Sequence, residues 1–175
     1  MRRLFRVATF FLFLFFITTN RVFAQSNYVL PYPSIMPGGI SYKIHLLYEN
    51  VSKYWYFGDF GQFDYTLKRA DKYLVEAKTL FEYKQYLLGY NALKKSDSYF
   101  VNIMHSLAKA ERNGKNTLKK KAVLRKASQK HIEVLEKMEL ETPDTFIWQP
   151  EKALPTNLYL KRDIEKSIDI RRNNL

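Results

Sequence analysis

The chain has 175 residues, enough for one domain once any leader is removed. It has no cysteine, which excludes disulfides, thiolate zinc sites, iron–sulfur ligation and a cysteine nucleophile. Thirteen Tyr and thirteen Phe supply bulk for a core, and a formal charge of +12 favours acidic partners: nucleic acid, anionic lipid or wall polymer.

Residues 1–24 read as a signal peptide. Arg2, Arg3 and Arg6 form a positive start, Val7 to Ile17 is an apolar run, and Val22-Phe23-Ala24 suits cleavage between Ala24 and Gln25. The run is shorter than the roughly 20 residues a membrane span takes; an uncleaved N-terminal anchor is the alternative. With no cysteine after the run, a bacterial lipoprotein is excluded. The expectation is an exported protein, extracellular or held at the cell envelope.

Residues 25–40 hold Pro31, Pro33, Pro37 and Gly38-Gly39, and read as an extended arm. Ser41 is placed to cap a first helix reaching about Tyr56, with Tyr42, Ile44, Leu47, Val51 and Trp55 as its buried face. Gly58-Asp59 breaks that helix, and Asp59 can cap the next. The long central helix carries Tyr56, Phe60, Phe63, Leu67, Ala70, Leu74, Ala77 and Phe81 at alternating steps of four and three, one apolar stripe. Gln62, Asp64, Lys68, Arg69, Asp71, Lys72, Glu76 and Lys78 form its expected solvent face, with Asp64 and Lys68 as an i,i+4 pair.

A break near Tyr83 to Gln85 leads to a third helix ending about Arg112, with Tyr86, Tyr90, Leu93, Phe100, Met104 and Leu107 near one face. Asn113-Gly114 is a helix-stop signal. A fourth helix, from about Asn116 to Leu140, places Leu124, Ser128, His131, Leu135 and Met138 on its stripe, and Pro143 stops it. Residues 41–141 thus form a helical bundle domain and 142–156 a Pro-rich connector. Residues 157–175 are a C-terminal amphipathic helix and tail offering Leu160, Ile164 and Ile168. Strand signals are absent. The predicted fold class is all-α: an antiparallel bundle of four to five helices behind a Pro-rich arm.

Tyr28-Val29-Leu30-Pro31-Tyr32-Pro33, then Met36-Pro37-Gly38 and Tyr42-Lys43-Ile44, resemble the "LPYPG-LPxxPLYxLK" arm of an uncharacterised family of exported bacterial helical domains. Ala70-Asp71-Lys72-Tyr73-Leu74-Val75-Glu76-Ala77-Lys78-Thr79-Leu80 is similar to that family's "ADxRLxEAxxL" helix. The likeness runs from about Tyr28 to Phe100; Gly39-Ile40 replaces the usual small-Pro-Leu, and Tyr73 stands where Arg is common. The family is a domain of unknown function, so the resemblance implies a bacterial extracytoplasmic helical protein and carries over no catalytic residues.

The residues themselves point away from catalysis. His45, His105 and His131 lack a metal-ligand spacing, no nucleophile elbow surrounds Ser34 or Ser41, and no Gly-rich phosphate loop exists. His131, on an apolar stripe with Glu133 and Glu136 nearby, reads as a neutral histidine in the core. No catalytic, cofactor or metal residue is assigned, and the chain is read as a non-enzyme.

Charge is more telling. Residues 1–24 hold four of the 29 bases and none of the 17 acids, leaving 25 bases against 17 acids, a net +8. Arg112, Lys115, Lys119, Lys120, Lys121, Arg125, Lys126 and Lys130 are eight bases in a stretch without an acid, equal to the whole excess. Several sit at a helix N-terminus, where the macrodipole disfavours cations. They read as a docking stripe for an anionic membrane surface or cell-wall polymer; the stretch lacks interleaved aromatics, so nucleic acid ranks last. Tyr54, Trp55, Tyr56 and Phe57, with Trp148, form an aromatic set that could serve a small ligand or peptide. A self-assembling helical protein, as homo-oligomer or with a protein partner, is the third reading.

Overall fold

Helix α1 (Ile40–Ser52) runs into a 3-10 turn, Lys53–Trp55, and is followed by α2 (Gly58–Glu82), α3 (Tyr86–Arg112) and α4 (Leu118–Glu141). Two short strands, β1 (Phe146–Trp148) and β2 (Thr156–Leu158), then lead to α5 (Leu160–Arg172). These elements come from a computed structural model describing residues 26–33, 35–37 and 39–173. The expected cleavage site at Ala24 and Gln25 lies outside the described residues. The five helices form an all-α bundle, as the periodicity predicts.

Helices α2 and α3 end by the same device. At the close of α3 the Gly114 N–H bonds Glu111 O and the Lys115 N–H bonds Ala110 O, with Gly114 at φ +71. This is a Schellman motif with glycine in the left-handed position. At the close of α2, Lys84 and Gln85 repeat it onto Phe81 O and Leu80 O, but the left-handed residue is Lys84, at φ 59. These two stops fold the chain into hairpins. α2 lies along α3, α5 lies against α3 and α4, and α4 closes back on α2, making a four-helix ring with α1 outside α2. Close packing at the first hairpin rests on Gly89, where an added Cβ would meet Phe81 Cδ2 at 2.6 Å.

The core has two apolar halves. One is built on Leu74, Leu80, Leu93, Leu135, Leu160, Ile164 and Ile168, the other on Phe63, Leu67, Phe100, Ile103, Leu107 and Leu124. The stripes of α4 and α5 are buried as predicted. The arm packs on both halves, Tyr28 on the second and Leu30 and Met36 on the first.

Several expectations fail locally. Ser41 does not cap α1, whose N-cap position is held by Gly39 without a side-chain hydrogen bond. Phe57, not Asp59, holds the N-cap position of α2, and Asp59 bonds the end of α3 instead. Asp64 pairs with Lys120, not Lys68. Met104 is exposed, because the α3 stripe passes through Ile103. The connector is not strand-free: β1 pairs antiparallel with β2, Phe146 opposite Leu158 and Trp148 opposite Thr156. The largest departures concern α2 and α1. From Arg69 to Ala77 every residue of α2 is buried, including Arg69, Asp71, Lys72 and Glu76 of the expected solvent face. In α1, Ile44, Leu47, Val51 and the following Trp55 are exposed, and only Tyr42 of the expected face is buried.

Candidate functional site

A helix surrounded on all sides must pair its charges internally, since an unpaired buried ion costs several kcal/mol. α2 does so through two clusters. The first faces α1. Glu49 of α1, 4% exposed, accepts from Lys72 Nζ at 2.6 Å, from Arg69 Nη1 and from the Tyr73 hydroxyl at 3.3 Å. His45 Nε2 lies 3.1 Å from the same carboxylate, and Arg69 Nη2 also donates to Ser52 Oγ at 3.0 Å. The Tyr42 hydroxyl donates to Glu76 Oε1 at 2.8 Å. Burial raises the Glu76 carboxyl above its usual range, opposed by the Tyr42 bond and by Lys72.

The second cluster sits inside the ring, between the two apolar halves. Arg171 of α5 donates to Asp97 of α3 through Nη1 and to Ser96 Oγ at 2.8 Å through Nη2. Ser167 Oγ donates to the other Asp97 oxygen at 2.8 Å, and Ser96 Oγ to Ala70 O at 2.8 Å. His131 of α4 meets Asp71 of α2 at 2.7 Å, and the second oxygen of Asp71 accepts from the Tyr28 hydroxyl of the arm at 2.6 Å. Each helix of the ring, and the arm, contributes a polar residue to one layer. The proton positions follow from the donors. Arg171 Nε can only donate, and it faces His131 Nδ1 at 3.4 Å, so Nδ1 is the acceptor and the proton sits on Nε2, toward Asp71. Burial pushes the imidazole below its usual value, with Arg171 acting the same way and Asp71 opposing. Burial and Asp71 together push the Tyr28 hydroxyl up. His131 and Arg171 are both 0% exposed, so these two tether helices and are closed to a dissolved molecule.

The predicted basic stretch divides in two. Lys115 bonds Asp59 at 2.9 Å, Lys120 bonds Asp64 at 2.6 Å, Lys121 meets Glu111, and Lys130 bonds Glu133 at 2.7 Å. Lys115 and Asn113 hold the Asp59 carboxyl below the usual carboxylate range, and Lys121 does the same for Glu111. The cations crowding the start of α4 are thus offset by carboxylates of α2 and α3, which removes most of the conflict with the helix dipole. Arg112, Lys119, Arg125 and Lys126 are exposed and have no carboxylate partner among the described residues.

The aromatic set does not assemble as one site. Phe57 is 82% exposed, Trp55 61% and Tyr54 exposed, while Tyr56 is half-buried, tilted on Tyr65 with ring centroids 5.5 Å apart. Trp148 stands on β1, away from them in the fold. Trp55 instead packs edge-on against Tyr48, at 5.9 Å.

Pattern reading missed two features. One is a groove of about 620 Å³ between the arm, α2 and α4, lined by Leu30, Val75, Val134 and Leu140 among others. Its rim lysines Lys78, Lys130 and Lys137 pair with Glu82, Glu133 and Glu141 of their own helices. The other is the outward apolar face of α1. Its signal was present in the sequence as Glu49, the single acid of that helix, opposite an apolar stripe.

No family model matches the chain, and neither a curated protein nor a solved structure matches it. Among the described residues no helix is long and apolar enough to cross a membrane, and no three His, Cys, Asp or Glu side chains gather as a metal site.

Proposed function

We propose that this chain is an exported, non-enzymatic docking module of a bacterial cell envelope, related to the helical family its arm resembles. It attaches to anionic membrane or wall polymer through the outer side of α4 and the end of α3. The observation that carries this reading is the division of the basic stretch. Four cations are committed to carboxylates, Lys115, Lys120 and Lys121 to those of α2 and α3 and Lys130 to Glu133 of its own helix, whereas Arg112, Lys119, Arg125 and Lys126 are left to solvent. Exposed cations of this kind attract phosphate-rich surfaces at about 1 kcal/mol each, in a salt-sensitive way. The bundle behind them supplies a rigid platform, because the polar layer fixes the register of the four ring helices.

Co-sedimentation of the chain from Gln25 onward with anionic vesicles and with cell wall tests this. That chain retains every described contact. Binding at low salt that falls steeply as salt rises, and is lost on replacing Arg112, Lys119, Arg125 and Lys126 by Gln with the helical content unchanged, is the expected result. Binding that the fourfold variant leaves intact would remove the proposal. The corresponding Lys115, Lys120, Lys121 and Lys130 replacements should act on stability instead.

A further inference from the structure

Helix α1 is packed with its polar side inward. Glu49, Tyr42 and Ser52 face α2, and Ile40, Ile44, Leu47 and Val51 recur at steps of four, three and four on the side away from the bundle. The helix cannot roll to hide this stripe, because doing so would strand Arg69 and Lys72 in the interior without Glu49. An apolar face held outward by a buried ion cluster is a candidate interaction surface.

We propose that this face rests in the interfacial layer of a lipid bilayer. Two observations select lipid. The exposed surface from Ile40 to Gly58 has no acid, since Glu49 is buried and paired; its exposed charges are Lys43 and Lys53, complementary to anionic headgroups. The stripe ends in Trp55 and Phe57, amphipathic or apolar rings of the kind that settle at headgroup depth.

On α2, the residues that meet α1 (Arg69, Lys72, Glu76) lie on a different side from Asp64 and Asp71, which meet α4. The α1 face and the α4 cations are therefore separate surfaces, and the two proposals fail separately.

The test uses the chain from Gln25 with Trp148→Phe, leaving Trp55 as the only tryptophan. Vesicles are phosphatidylcholine with phosphatidylglycerol, with and without brominated acyl chains, at low and high salt. The expected result is a blue shift of Trp55 and its quenching by bromine, retained at high salt, with partitioning reduced at least about tenfold by Leu47→Asn with Val51→Asn. These positions are exposed, so folding is preserved and is checked by circular dichroism. Replacing Arg112, Lys119, Arg125 and Lys126 by Gln should leave the high-salt Trp55 signal in place. Trp55 remaining accessible to water with vesicles, or becoming buried without them as the protein dimerises, would overturn the proposal.

Discussion

His131 donates to Asp71 across 2.7 Å in the centre of the bundle, joining two residues 60 positions apart in the chain. The imidazole is neutral because its other nitrogen faces the Arg171 guanidinium. In the unfolded chain the same side chain titrates at about 6.5. The folded value is lower, so between the two values the unfolded state binds more protons and stability rises with pH. The His131 contribution is fully present above about pH 6.5 and is lost as pH falls toward the folded value. Urea unfolding from pH 5 to 7.5 should show this decline, and His131→Gln should flatten it. An unchanged slope in the variant would place the proton uptake elsewhere.

Arg171 and Asp97 form a pair that neither member can leave. Arg171→Met leaves the Asp97 carboxylate buried with only Ser167 as donor and should cost about 3–5 kcal/mol. Replacing both, Arg171→Met with Asp97→Leu, should recover most of that loss, since an apolar pair needs no hydration. A double-mutant cycle by chemical denaturation measures the recovery.

Lys84 and Gly114 occupy the same left-handed position at two helix ends. Lys84→Gly should therefore stabilise by about 0.5–1 kcal/mol, and Gly114→Ala should destabilise by about as much or more. Opposite shifts in thermal midpoint are the expected outcome; shifts of one sign would contradict the shared motif.

Glu49 holds α1 to the bundle. Glu49→Gln keeps the shape but leaves Arg69 and Lys72 buried without their carboxylate, at a cost of about 3 kcal/mol or more. Amide exchange should accelerate first along residues 40–52, with α2 and α3 retaining protection at their centres. Uniform acceleration across the bundle would mean α1 is not an independently opening element.

Much of the fold was legible. Helix periodicity placed the stripes of α4 and α5, and Asn113-Gly114 and Pro143 marked stops that the structure keeps. The Lys84 stop carried no glycine and could be placed only by the break in pattern. The buried charges of α2 were not legible, because periodicity identifies one apolar face and is silent on how many neighbours surround a helix. Asp71 with His131, and Asp97 with Arg171, meet across 60 and 74 residues, separations no local pattern encodes. For α1 periodicity marks the stripe but not its direction: Glu49, bound to Arg69 and Lys72, turns the apolar side outward. The eight bases were visible as a run. That Lys115, Lys120 and Lys121 are spent on carboxylates of other helices depended on tertiary contact.

The orientation of α1 underlies both its ion cluster and its outward face, and the absence of native cysteine makes it directly measurable. Single cysteines at Leu47, Val51 and Ser52 would be reacted with a maleimide in the monomeric protein. Leu47→Cys and Val51→Cys should label at nearly the rate of a free thiol, and Ser52→Cys should label only when urea opens the fold. Rapid labelling at Ser52→Cys with protection at Leu47→Cys and Val51→Cys would mean that the apolar stripe faces the bundle, and would contradict the account.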